Sequence, residues 1–222
     1  MINAVLFDFD GVIAKTEPVH KQTFIEIFKQ HGLDISISDE RWYREFAGTG
    51  SGKIFAKLTI DYKLNANIEE MVKQRQDMFL DHVKKGNVEL VPGAKELIMK
   101  LHKKGVKMAI VSGGHRDYIE LLLEMNGLTN FFPVIVSAND IKARKPDPEP
   151  FLYAARKLGV PASECVVLED SYSGCEAAKK AGMKLIWVRP NKSMKPPECD
   201  LVVDDLTDCG SLLYVPLVDF VS

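Results

Sequence analysis

Apolar residues gather along this chain in short runs rather than in one long block. Ala4-Val5-Leu6-Phe7-Asp8-Phe9 is apolar at successive positions until Asp8 interrupts it. Such a run is expected of a strand buried on both faces of a parallel sheet. Val106 to Ser112 and Cys165 to Leu168 repeat the pattern, and Lys184 to Val188 and Leu201 to Val203 extend it. Between these runs the apolar positions take up a helical repeat. The stretches Ala94 to Lys104 and Glu149 to Leu158 show it, as do Tyr118-Ile119-Leu121-Leu122-Met125, stopped by Gly127, and Ala177-Ala178-Ala181, stopped by Gly182. Strands alternating with helices predict a doubly wound α/β sheet, Rossmann-like, whose sites lie outside the carboxyl ends of the strands.

The alternation breaks between about Lys15 and Asn87, where helical stretches follow one another without a convincing strand. Pro18 to Lys29 places Val19, Phe24, Ile27 and Phe28 close to one face, and Asn67-Ile68-Glu69-Glu70 reads as a capping box opening a helix with Met71, Gln74, Met78 and Val83. This segment is expected to be an inserted helical domain, 15–87, within an α/β core made of 1–14 and 88–222. The loop Gly48-Thr49-Gly50-Ser51-Gly52 follows no strand and has neither the P-loop nor the dinucleotide spacing, so it reads as a flexible turn or as a substrate-facing loop.

Composition narrows the partners. Of 222 residues 46% are hydrophobic, enough for a large core, and 29 Lys plus Arg against 31 Asp plus Glu leave a net charge of −2. That balance gives no electrostatic case for nucleic acid or an acidic membrane surface, and a small solute is the expected partner. A monomer is expected ahead of an oligomer, a choice that the sequence itself does not decide. Met1-Ile2-Asn3-Ala4 lacks a basic leader region and no run of about 18 apolar residues exists, so neither a signal peptide nor a membrane span is expected. Cys165, Cys175, Cys199 and Cys209 form no CxxC pair and suit reduced thiols in a cytoplasmic protein.

Asp8 and Asp10 stand two residues apart where the first strand ends, so the strand period aims both carboxylates the same way. Gly11 then allows the chain to turn sharply. An Asp-x-Asp-Gly run is also an ordinary turn, and three other groups decide how to weigh it. Ser112 with Gly113 and Gly114, Lys145 before Pro146-Asp147-Pro148, and Glu169-Asp170 are read as three further strand ends, although no strand run stands out before Lys145. Singly, Ser112 reads as a helix N-cap, Lys145 as a loop lysine and Glu169-Asp170 as an acidic helix start. Their shared placement at strand ends favours one site.

In order and spacing, Asp8-Phe9-Asp10-Gly11-Val12, Ser112, Lys145 and Glu169-Asp170-Ser171 with Gly174 resemble the four motifs of the haloacid dehalogenase superfamily, over nearly the whole chain. The resemblance implies that Asp8 is a nucleophile and Asp10 an acid/base. It implies that Ser112 and Lys145 hold the transferring phosphate and that the last acidic pair holds Mg²⁺, and it makes the helical insertion a cap. Dehalogenases of the family lack the second Asp, so Asp10 points to phosphate chemistry. Magnesium takes oxygen ligands, which suits Asp8, the carbonyl of Asp10, Asp170 and, directly or through water, Glu169. The Gly113 N–H is a further phosphate donor. The expected activity is hydrolysis of a small phosphomonoester through an aspartyl phosphate.

Gly11 to His20 is similar to the cap entrance of sugar-phosphate phosphatases and of β-phosphoglucomutase, with Thr16 and His20 at matching places and Lys15 departing from an acidic residue. A mutase grips a second phosphate with an arginine in the first cap loop. Here that loop carries Lys53, with Arg75 on the next helix as another candidate cation, and both also read as solvated surface charges. Phosphatase is therefore expected ahead of mutase. A non-catalytic binding protein on the same fold is the remaining alternative, disfavoured by the intact set of site residues.

Overall fold

The computed structural model describes residues 2–189, 192 and 194–207. They divide into two compact units, one made of the chain up to Lys15 with the residues from Leu90 onward, the other of Thr16–Glu89.

The first unit is built on six parallel strands: β1 (Ala4–Phe7), β2 (Lys107–Val111), β3 (Val134–Val136), β4 (Cys165–Glu169), β5 (Lys184–Val188) and β6 (Leu201–Val203), in the order β3-β2-β1-β4-β5-β6. β1 lies between β2 and β4, with Phe7 opposite Ile110 on one side and Leu168 on the other. Every residue of β1 is buried, which explains why its sequence shows no polar alternation. The chain leaves β1 toward β2 and later returns to pair β4 on the opposite side, so the strand order reverses at β1. Sheet hydrogen bonding runs one residue past the strands into the polar ends. Asp8 N–H donates to the Leu168 carbonyl at 2.9 Å and Ser112 N–H to the Val136 carbonyl at 2.9 Å.

Helices cover both faces. On one, Phe151, Ala154 and Ala155 of helix Glu149–Leu158 and Cys175, Ala177 and Ala178 of helix Tyr172–Lys180 pack with Ala4, Leu6, Ala109, Val111 and Val167. On the other, helix Ala94–Lys103 packs against β2 and buries Leu97, Ile98 and Leu101, and Phe7 meets the ring of Phe132 edge-on at 5.8 Å. This is the doubly wound sheet that the pattern predicts. β3 is an addition, too short to stand out beside Phe131-Phe132-Pro133, and β1 ends at Phe7 instead of reaching Phe9. Cys165, Cys175 and Cys199 are free thiols; Cys209 and the tail from Leu212 to Ser222 lie outside the described residues. Among the described residues no helix is long and apolar enough to cross a membrane.

The second unit is helical: Glu17–Gln30, Asp39–Arg41 running into a π-turn Trp42–Phe46, Ser51–Asp61 and Ile68–Lys84. Asn67 caps the last of these through Oδ1, which accepts from the Glu69 and Glu70 N–H groups at 3.0 and 3.4 Å. The core is aromatic, with Phe24 and Phe55 rings 4.6 Å apart and Phe28 stacked on Phe55 at 6.3 Å.

Phe55 is fully buried among these rings. Phe55→Ala should therefore destabilise the helical unit by about 3–5 kcal/mol. Urea unfolding would show a lower midpoint with an unchanged slope.

Candidate active site

The carboxyl ends of β1, β2 and β4, with the loop after β3, bring Asp8, Asp10, Ser112, Lys145, Glu169 and Asp170 into the first unit. At its centre is the Lys145 ammonium. It donates to Asp8 Oδ1 at 2.6 Å, to the Val111 carbonyl at 2.9 Å and to Glu169 Oε1 at 2.5 Å, so all three of its N–H donors have an acceptor. Burial alone would pull this ammonium down, but Asp8 and Glu169 outweigh it and hold Lys145 above its ordinary value. For Asp8 the balance runs the other way. Burial pushes its carboxyl well up, Lys145 pulls it down, and Glu169 and Asp10 add to the rise.

Glu169 has no exposed surface, and its second oxygen is taken by the loop that follows it. Oε2 accepts from the Asp170 N–H at 2.9 Å, the Ser171 N–H at 2.8 Å and the Ser171 hydroxyl at 2.9 Å. Ser171 in turn caps helix Tyr172–Lys180 by accepting from Gly174 N–H at 3.1 Å. Trp187 of β5 fixes the same loop, its indole N–H donating to the Asp170 carbonyl at 3.0 Å. Carboxylate oxygens of Asp8, Glu169 and Asp170 all lie within 4.8 Å of one another. Oxygen-only donors on three buried carboxylates, two of them sharing one ammonium, fit a hard divalent cation.

Two glycines of the sequence motifs make room for these oxygens. A Cβ on Gly11, whose φ is +78°, would stand 2.0 Å from Asp170 Oδ2, and a Cβ on Gly174 would stand 1.7 Å from Glu169 Oε1. Both contacts are far inside van der Waals range, so neither position admits a side chain without moving an acidic one.

Asp10 is held differently. Ser112 Oγ donates to its Oδ2 at 3.0 Å, and the Gly114 N–H donates to Ser112 Oγ at 2.9 Å. The Tyr118 hydroxyl lies 2.9 and 2.7 Å from Asp10 Oδ1 and Oδ2. Burial pushes the Tyr118 phenol well above its ordinary value, with Asp10 adding to the rise, so it remains a hydrogen-bond donor. Tyr118 reads from the sequence as one more apolar position of a helix. The available signal was a hydroxyl-bearing ring in the first turn of the helix that leaves Ser112, on a face otherwise aliphatic. Gly113 is exposed beside Ser112, with open space where a side chain would be.

The remaining candidates belong to the helical unit. Thr16 is fully buried and its carbonyl accepts from the His20 N–H at 2.8 Å. The His20 ring stacks on Phe79 at 4.0 Å, with Nδ1 3.2 Å from an Arg75 N–H. Lys53 is exposed in the first turn of helix Ser51–Asp61. Arg75, a surface cation or substrate contact by the sequence reading, is buried in this unit's own core, its guanidinium over Phe24 at 4.8 Å and Phe79 at 5.7 Å.

Comparison with known proteins gives the family. The family described as haloacid dehalogenase-like hydrolase matches residues 5–188. The chain belongs to that family. YhcW of Bacillus subtilis (strain 168) is 35% identical over 193 residues, covering 86% of this chain and 85% of that protein. SUPPRESSOR OF QUENCHING 1, chloroplastic, of Arabidopsis thaliana is 33% identical over 92% of this chain, which spans 20% of that longer protein. The validoxylamine A 7'-phosphate phosphatase of Streptomyces hygroscopicus subsp. limoneus is 28% identical over 94% of this chain and 96% of its own. Among solved structures, CbbY from Rhodobacter sphaeroides in complex with phosphate matches at TM-score 0.82 and 27% identity, over 95% of this chain and 97% of its own. A mutant of the same protein in complex with xylulose-(1,5)bisphosphate matches at TM-score 0.82 and 26% identity, over 94% and 96%. This haloacid dehalogenase-like hydrolase thus shares its fold with the solved CbbY structures, and its polar residues stand at strand ends of the sheet.

Removing Glu169 would leave Lys145 and three donors of the β4 loop short of an acceptor in a buried place. Glu169→Ala should cost about 3–5 kcal/mol of stability, the usual penalty for breaking a buried ion pair from one side. Thermal unfolding of the variant beside Glu169→Gln, which keeps the shape and one acceptor oxygen, would measure it.

Proposed function

We propose that the chain is a Mg²⁺-dependent phosphatase that hydrolyses a small phosphomonoester, a sugar phosphate or similar metabolite, through an aspartyl phosphate on Asp8. The observation that carries this reading is a buried carboxylate at the end of the central strand, 2.6 Å from a buried ammonium and within 4.8 Å of two further carboxylates. In this reading Asp8 attacks the phosphorus and the bond to the leaving oxygen breaks. Asp10 gives that oxygen a proton and then takes one from the water that attacks the aspartyl phosphate, returning Asp8 and releasing phosphate. Lys145 supplies fixed positive charge beside the phosphate, and the Ser112 hydroxyl and the Gly113 N–H receive its oxygens, where charge and donors count most in the transition state.

Asp8, the carbonyl of Asp10 and Asp170 would hold the Mg²⁺, with Glu169 acting through the loop because both its oxygens are committed to Lys145, Asp170 and Ser171. When bound, the ion supplies positive charge that keeps Asp8 ionised against its burial and offsets the phosphate. The names of the relatives support a polyhydroxylated phosphate as substrate class. Water is favoured over a second hydroxyl as acceptor because the arginines of the helical unit are engaged within it. Arg41 pairs with Glu45 and Asp61, Arg44 with Glu40 and Glu45, and Arg75 sits over its aromatic core.

Phosphate release from a panel of sugar monophosphates tests the activity. Asp8→Asn should abolish it, and the phosphoenzyme trapped on the unsubstituted protein should map to Asp8; a phosphoryl group on another residue would overturn the nucleophile. Exhaustive EDTA treatment and Asp170→Ala should each remove activity while the protein stays folded, and Mg²⁺ should restore only the former. With β-glucose 1-phosphate and a trace of the 1,6-bisphosphate, free phosphate should exceed glucose 6-phosphate; rapid isomerisation without phosphate release would establish a mutase instead.

A further inference from the structure

We propose that Tyr118 is the positioning residue for Asp10, and that Gly114 is glycine so that the phenol can reach it. The proposal rests on the reading of Asp10 as the acid/base and adds a residue that none of the four motifs contains.

The geometry is complete within the first unit. Tyr118 stands in the first turn of helix Arg116–Met125, and its ring lies 6.0 Å from that of Phe9, next to Asp10 in the chain. From there its hydroxyl meets both oxygens of Asp10 at 2.9 and 2.7 Å. The path it takes crosses Gly114, where a Cβ would lie 1.7 Å from the phenol oxygen and 2.5 Å from the ring carbon bearing it. The tyrosine is almost fully buried, and its hydroxyl lies against both oxygens of Asp10, with the Ser112 hydroxyl beside it. A buried phenol placed only for packing would as readily be a phenylalanine.

Ser112 shows why a second donor is needed. In the structure its single hydroxyl proton points to Asp10 Oδ2 at 3.0 Å. The same proton is the one the proposed reaction assigns to a phosphate oxygen, and one proton cannot serve both. When the phosphate takes it, Tyr118 is a donor that still holds the Asp10 carboxylate. An aspartate has two side-chain torsions to lose, and an acid/base must stay within about 2.6–3.2 Å of the oxygen it serves. Tyr118 donates its O–H without giving up the proton, leaving Asp10 free to pass its own proton to the leaving oxygen and to accept one from water.

Tyr118→Phe removes the hydroxyl and keeps the ring. Two substrates separate positioning from damage. p-Nitrophenyl phosphate has a leaving group that needs no proton, so transfer to Asp8 does not depend on Asp10, whereas water attack on the aspartyl phosphate does. For this substrate kcat should fall on the order of 10- to 100-fold. Its kcat/KM should be retained, with a burst of p-nitrophenol and phosphoenzyme accumulating on Asp8. For an aliphatic sugar phosphate kcat and kcat/KM should fall together. Gly114→Ala, which displaces the phenol while keeping its own N–H to Ser112, should reproduce the pattern and serves if Tyr118→Phe folds poorly. Unchanged kcat in both variants, or a parallel fall of kcat and kcat/KM on p-nitrophenyl phosphate without phosphoenzyme, would overturn the role of Tyr118. Asp10→Asn keeps the two failures apart. If it hydrolyses the sugar phosphate at full rate, the acid/base reading falls and this proposal with it; if it is inactive while Tyr118→Phe is not impaired, the Tyr118 proposal alone falls.

Discussion

The ammonium of Lys145 between Asp8 and Glu169 is the interaction on which the rest of the site depends. Carboxylates taken out of water are costly unless a positive charge and hydrogen bonds replace the solvent. Glu169 is wholly buried and Asp8 nearly so, and one lysine serves both while its third donor is closed by the Val111 carbonyl of β2. That single group ties the ends of β1, β2 and β4 together from a loop that follows β3. Its attachment to Glu169 continues into the β4 loop, since the other oxygen of Glu169 holds Asp170 and Ser171 in place. Asp170 is therefore oriented through a chain of contacts that begins at Lys145, which explains why residues far apart in sequence must be chosen together.

The glycines of the motifs are the imprint of those side chains. Gly11 marks where the Asp170 carboxylate passes, Gly174 where Glu169 turns and Gly114 where Tyr118 enters. Only Gly11 also needs a left-handed backbone conformation. The other two are glycines for space alone, a demand that backbone reasoning from the sequence does not reveal, because it depends on which side chain arrives from another element.

The same distinction sets how far the sequence could be read. The sheet was legible because burial on both faces removes polar positions from β1, β2, β4 and β5, and a polar residue then announces each strand end. Asp8, Ser112 and Glu169 stand out for that reason, and Lys145 for its place in the motif order. β3 was not legible, since Val134-Ile135-Val136 is too short to separate from the apolar residues before it. Tyr118 was hidden because its helical repeat accounts for its ring and says nothing of its hydroxyl. Arg75 misled for the opposite reason. On a helix rich in charge it reads as a solvated cation or a substrate contact, yet it is buried, its planar guanidinium lying over Phe24 and Phe79.

Asp8 and Asp10 show how one residue type receives two roles from two environments. They leave the same strand with the same intrinsic acidity, two residues apart. Asp8 meets a full positive charge and sits almost out of solvent, so burial raises its carboxyl while Lys145 pulls it down, and a divalent ion in the proposed reaction would add to that pull. A group so placed suits attack at phosphorus, where a carboxylate must be bare of its proton. Asp10 is half-buried, and two hydroxyls, from Ser112 and Tyr118, are among its partners. Neutral donors orient a carboxylate without fixing its charge as an ammonium would, and hydroxyl groups can turn to accept when the carboxyl is protonated. A residue that must first give a proton and then take one needs that tolerance. Exchanging the surroundings would exchange the tasks: an acid/base locked to Lys145 would hold no proton to give, and a nucleophile held by hydroxyls alone would lack the charge that admits a phosphate.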